Sequence, residues 1–206
     1  MPSGSYTIKA DVIDITSDVP QQEDIFFVDT NIWYWLAYSN ASHTAQPYQL
    51  NDYPNYISSA LTNASTLCYS ELLLPELAHI IEKTEREIFN VGKSPRLKAK
   101  DFRRLAPSIR TSIANKVKVV WDQVKGDAQP LVLSLYESIA DRAINRFATQ
   151  MVDGYDLFIL EIMEIEGITK VITDDSDYVT VTGIEVFTAN PTVLKEARLQ
   201  GKLLTR

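Results

Sequence analysis

Five carboxylates stand where the chain passes from apolar to polar: Asp29, Glu76, Asp156, Asp175 and Asp177. Asp29 follows Ile25-Phe26-Phe27-Val28 and precedes a second apolar run. Asp156 is in helical register with Ile159, Leu160 and Met163, so it shares a stripe with core residues. A carboxylate facing a core is costly unless a cationic group balances it. No Lys or Arg lies within a helical turn of Asp29, Glu76, Asp156 or Asp175 in sequence. A divalent ion is the simple alternative. Mg²⁺ and Mn²⁺ take carboxylate and water oxygens, so three or four acids could hold one or two such ions.

Each acid also has a plainer reading. Glu76 in a first helical turn meets the helix dipole favourably. Asp153 or Asp156 could cap the helix that follows. Asp175 and Asp177 could stabilise a turn. Other chemistry finds little support. His43 reads as a loop residue, His79 as helical, and Cys68 as a buried strand residue. Tyr48, Tyr53 and Tyr56 could stack bases, but tyrosines so placed more often pack on the surface. No glycine-rich phosphate loop is present. Asp29-Thr30-Asn31 lacks the second Asp of an aspartyl phosphatase.

The elements that must position these acids follow from periodicity. Residues 6–16 read as an N-terminal strand or arm, 26–29 as a buried strand, and Asn31 to about Tyr38 as a helix. Residues 39–54 read as a loop and 53–64 as a helix. A short strand is expected at 66–70, then a helix opening near Pro75 and running to about Asn90. Helical spacing links Ile109, Ile113, Val117, Val120, Trp121 and Val124. A third strand is expected at 131–135, and helices at 136–150 and 156–165, the latter ending at Gly167. Strands close the pattern at 170–173 and 184–188. Alternating apolar strands and helices imply an α/β fold, with a parallel sheet covered on both faces. In such folds ligand sites gather at the carboxyl ends of the strands, which is where the acids fall.

The bulk composition bounds the rest. The 206 residues suit one α/β domain, and 45% hydrophobic with 23% charged is ordinary for a globular chain. No apolar run approaches the roughly 20 residues of a membrane span. The opening MPSGSYTIKADVID lacks a basic-then-apolar signal pattern. A single cysteine excludes an internal disulfide framework and a Cys-rich zinc site. A cytoplasmic location is expected. The net charge is −7, yet residues 93–118 hold nine Lys or Arg against one acid, Asp101. A basic segment on an acidic body is a candidate surface for a polyanion, or simply a solvated helix face.

Four pieces in order resemble the PIN domain nuclease family, whose members include VapC-like toxin ribonucleases. They are FFVDTNIW (26–33), LLLPELAHIIE (72–82), DGYDLFILEIMEIEGITKVITDDSDY (153–178) and GIEVFTANPTVL (183–194). The resemblance covers about residues 24–194. It implies a three-layer α/β/α domain over 24–206, with a central parallel sheet of about five strands, and leaves 1–23 as an N-terminal extension. It implies catalytic, metal-binding acids at Asp29, Glu76, Asp156 and Asp175, with Asp177 as an accessory ligand. Asn31 and Thr173 would orient the ligands. Glu71 and Asp153 stand as alternatives to Glu76 and Asp156. The implied activity is an Mg²⁺- or Mn²⁺-dependent endoribonuclease, with Lys98, Lys100, Arg103 and Arg104 on the flanking RNA. Expected partners are RNA, a protein antitoxin and a second copy of the chain, with no membrane. The alternative is a catalytically silent module of the same fold that binds RNA or a protein.

Overall fold

The computed structural model of the protein describes residues 6–104, 107–132 and 136–206. β1 (Asp11–Asp14) comes first, then β2 (Ile25–Val28), α1 (Thr30–Ala37), α2 (Pro47–Thr62), β3 (Thr66–Tyr69) and α3 (Leu73–Phe89). A short α4 (Ala99–Arg103), the long α5 (Pro107–Asp127) and β4 (Gln129–Pro130) follow. The chain then forms α6 (Glu137–Thr149), α7 (Asp156–Ile165), β5 (Lys170–Ile172), β6 (Glu185–Thr188), α8 (Pro191–Leu199) and β7 (Leu203–Leu204).

These strands form one sheet in the order β4-β3-β2-β5-β6-β1-β7, and every pair is parallel. The architecture is the expected α/β/α, with helices on the sheet and central strands buried on both faces. Phe26, Phe27, Val28, Val171 and Ile172 are fully inaccessible. From β2 the chain runs to β3 and β4 on one side. It crosses back to β5 and β6 on the other. The carboxyl ends of β2 and β5 therefore flank the point where the strand order reverses, the usual ligand position in such sheets.

The sheet has seven strands rather than about five. Val12 and Ile13 are buried, and β1 pairs with both β6 and β7, so residues 11–14 are an internal part of the sheet. The expected strand at 131–135 begins two residues early, as β4. Leu131 N–H still donates to the Tyr69 carbonyl, and 133–135 lie outside the described residues. The loop expected over 39–54 is shorter than its composition suggests. Pro47 opens α2 behind a Gln46/Gln49 capping box, and the helix runs through Pro54. Pro54 lacks one helical N–H, but Tyr53, Tyr56, Ile57 and Ala60 bury that helix firmly. α7 ends as expected at Gly167, which takes the left-handed conformation (φ +69°) that a helix stop favours.

A satellite core of Tyr34, Tyr38, Leu77, Ile81 and Val120 joins α1, α3 and α5. No helix among the described residues is long and apolar enough to cross a membrane.

Candidate active site

Asp29 leaves the end of β2 and caps α1. Its Oδ1 accepts the Thr30 N–H at 2.6 Å, and its Oδ2 accepts the Thr173 hydroxyl at 2.8 Å. The side chain is only 4% exposed. Burial raises its proton affinity well above the usual carboxylate range. The charges of Asp156, Glu76 and Asp175 push the same way, and the Thr173 hydrogen bond opposes them. Asp29 thus reports that acids from four separate elements are near enough to feel one another.

Each of the other acids is also held. Glu76, in the first turn of α3, accepts the Thr30 hydroxyl at 2.5 Å. Burial raises its proton affinity; the Thr30 bond and His79 oppose that, while Asp175 and Asp153 add to it. Asp156 opens α7 and accepts the Tyr178 hydroxyl at 2.8 Å. Burial, helped by Glu76, Asp175 and Asp153, outweighs that bond and pushes its pKa up to about 7. Asp175 lies beyond β5. Its N–H donates to the Thr173 hydroxyl at 2.9 Å, and its Oδ1 accepts the Asp177 N–H at 2.8 Å. Burial and neighbouring acids raise both Asp175 and Asp177.

The alternatives sort differently. Glu71 is exposed on the turn before α3, and its side chain makes no hydrogen bond or ion pair among the described residues. Asp153 is exposed yet contributes to the field on Glu76, Asp156, Asp175 and Asp177. Thr173 bridges Asp29 and Asp175, as a ligand-orienting residue would. The bridge from Asp29 to Glu76 passes through Thr30 rather than Asn31, because the first residue of α1 is the one directed at α3. Asn31 is part-buried and makes no side-chain hydrogen bond among the described residues.

The donor chemistry suits a hard divalent cation. Every candidate ligand is a carboxylate, and none of Asp29, Glu76, Asp153, Asp156, Asp175 or Asp177 forms an ion pair among the described residues. Buried acids elsewhere in the chain do pair. Asp24 is met by Arg206 and Lys170, and Glu161 by Arg142 and Arg146. As placed, no three His, Cys, Asp or Glu side chains among the described residues are grouped to hold one ion. Mg²⁺ commonly uses one or two carboxylates and keeps its waters, so a three-carboxylate cage is not required.

The basic segment is partly committed to structure. Arg103 pairs with Glu82 at 2.7 Å and Lys116 with Glu85 at 2.6 Å, which joins α4 and α5 to α3. Lys98, Lys100 and Arg104 are exposed and form no ion pair among the described residues. Of the tyrosines considered for base stacking, Tyr53 and Tyr56 are buried, 0% and 3% exposed. Their hydroxyls bond Asp174 and Asp18 instead. Cys68 is buried in β3 as expected. Residue type and spacing assign no site role to Thr30, Tyr178 or Asp174. The signal each leaves is its adjacency to a candidate acid, Asp29, Asp177 and Asp175 in turn.

No family model matches the chain, and no curated protein matches it. Among solved structures, a chain of VapBC2 from Rickettsia felis, crystallised bound to a DNA fragment from their promoter, is similar. The TM-score is 0.46 at 13% sequence identity, covering 80% of this chain and 98% of that one. A likeness of that size carries no argument about function.

Proposed function

We propose that the protein is a PIN-like, divalent-metal-dependent endoribonuclease that hydrolyses RNA phosphodiester bonds. The observation that carries this reading is the unpaired acid cluster at the sheet's switch point. Asp29, Glu76, Asp156 and Asp175 come from four elements, are buried or half-buried, and form no ion pair among the described residues. Left alone, such a cluster would repel a phosphodiester.

The four acids, with Asp177 beside them, would hold Mg²⁺ or Mn²⁺. When bound, the ion would supply charge neutralisation at a phosphoryl oxygen and would make a water easier to deprotonate, so that it can attack phosphorus. The chain's own part is orientation. The Thr173 hydroxyl fixes the Asp29 carboxylate, and the Thr30 hydroxyl fixes that of Glu76. Tyr178 fixes Asp156. The Asp177 N–H fixes Asp175. Lys98, Lys100 and Arg104 would meet the flanking RNA backbone, and a small protein inhibitor is the proposed protein partner.

One observation favours a second reading, a silent module that binds RNA or protein without cutting. The acids are not gathered into a three-ligand group. Incubating the purified protein with tRNA, rRNA and mRNA, with Mg²⁺ or Mn²⁺, separates the two. Cleavage is expected, and Asp29→Asn should abolish it. Cleavage that survives excess EDTA would sink the metal mechanism. Absence of both cleavage and Mn²⁺ binding would favour the silent module.

A further inference from the structure

The loop that carries Thr173 and Asp175 has a second face. Successive residues of an extended chain point to opposite sides. Thr173 and Asp175 turn to the acid cluster, and Asp174 between them turns away. Its carboxylate meets three side chains of α2. Tyr53 Oη lies 2.7 Å from Oδ1, Gln49 Nε2 lies 2.7 Å from Oδ2, and Tyr48 Oη lies 3.0 and 3.1 Å from the two oxygens. From the start of α8, Asn190 Nδ2 donates to the Asp174 carbonyl at 2.8 Å.

Tyr53 is the centre of this clamp. A phenol has one hydrogen to give and two lone pairs to receive. The carboxylate of Asp174 is the strongest acceptor in reach, so the hydrogen goes there. The lone pairs then receive the Ala189 N–H at 3.0 Å and the Thr188 hydroxyl at 2.9 Å. Every hydrogen-bonding site of a fully buried oxygen is used. That oxygen joins α2, the end of β6 and the loop after β5. Burial also keeps it a phenol, since it raises the hydroxyl's proton affinity far above ordinary tyrosine.

We propose that Tyr53, supported by Tyr48 and Gln49, is a positioning residue for the candidate ion site. By holding Asp174 on the back of the loop, it sets where Thr173 and Asp175 stand on the front. This rests on the metal reading above. Residues that orient ligands without touching the ion typically change metal affinity by tens of fold when removed.

The test is Tyr53→Phe, which keeps the ring packed against Trp35 and Tyr48 and removes only the oxygen. Tyr56→Phe is the control. Its hydroxyl bonds Asp18 and Arg206 and makes no hydrogen bond to residues 173–175. Mn²⁺ is titrated calorimetrically into wild type and both variants, well below their melting temperatures. Amide hydrogen exchange at residues 174–177 is followed without metal. Tyr53→Phe is expected to weaken Mn²⁺ binding about tenfold and to speed exchange at 174–177, while Tyr56→Phe changes neither. Unchanged affinity and exchange in Tyr53→Phe, with wild type binding normally, overturns the positioning role. Equal weakening in both variants also overturns it, since that marks a general loss of rigidity. No Mn²⁺ binding by wild type overturns the metal reading itself. Should Tyr53→Phe not fold, the Tyr48→Phe, Gln49→Ala pair takes its place, with the same expected direction and the same overturning result.

Discussion

Asp156 is subject to two opposed demands. As a candidate ligand it must shed its proton, yet its surroundings push its pKa up to about 7, from an ordinary carboxylate value near 4 when unfolded. The folded state therefore binds this proton more tightly than the unfolded state. Stability from the group is full below about pH 4 and is lost as pH rises through 7. Above that, the metal-free protein holds a charge its fold disfavours. Asp156→Asn should stabilise the metal-free protein at pH 8 by on the order of 2 kcal/mol, and give little or nothing at pH 4. The Asn carbonyl can still accept the Tyr178 hydroxyl, so the comparison isolates charge. Urea unfolding at the two pH values measures it. An equal gain at both would mean that packing, not repulsion, sets the effect. The same residue shows how far sequence can reach. An acid in register with Ile159, Leu160 and Met163 is visible as an anomaly, but the phenol that receives it, Tyr178, lies 22 residues on and leaves no periodic trace.

At the scale of elements, the basic segment divides into residues that build and residues that remain available. Arg103 and Lys116 pair with Glu82 and Glu85 of α3, and Phe102 is buried beside them. Together they dock α4 and α5. Lys98, Lys100 and Arg104 are left outward. Replacing those three by Gln should weaken RNA binding and flatten its salt dependence, with the slope falling by about 0.7 for each phosphate no longer neutralised. Arg103→Gln should instead lower stability and leave the slope nearly unchanged. Binding curves over a range of salt concentrations check both, and an unaltered slope in the triple variant would make this a solvated face. From sequence alone the nine bases look equivalent, because the acids that engage two of them sit on another helix. Helices and central strands are easier to read. FFV and KVIT are apolar runs with abrupt polar ends, and α7 shows its stripe over three turns. β4, α8 and β7 are harder. Strands of two residues have no period to detect, and β1 owes its place to partners more than 170 residues away.

Across the whole molecule the electrostatics point in two directions. The acid cluster favours low pH, whereas a clamp at the far end of the chain favours neutral pH. Arg206 bonds both oxygens of Asp18 and both of Asp24 at 2.7–2.8 Å, and its guanidinium lies 4.6 Å from the ring centre of Phe187. Lys170 of β5 adds a third tie to Asp24. Burial works to raise the Asp24 pKa, but the hydrogen bonds from Arg206 and Lys170 outweigh it and hold it at about 2. A depressed folded pKa means stability present above about pH 4 and lost as pH falls through 2. The clamp joins Arg206, two residues beyond β7, to the segment between β1 and β2. Arg206→Ala would leave Asp18 buried without a counter-charge and Asp24 with Lys170 alone. The expected cost at pH 7 is on the order of 3 kcal/mol, the range for breaking one side of a buried pair. Because the cost is electrostatic, the gap between variant and wild type should close as the solution is acidified toward pH 2, where Asp24 takes up its proton. Denaturant unfolding at pH 7, 4 and 2.5 measures that gap. One that stays constant down to the lowest pH would assign the loss to the stacking of Arg206 on Phe187 rather than to the charges it neutralises.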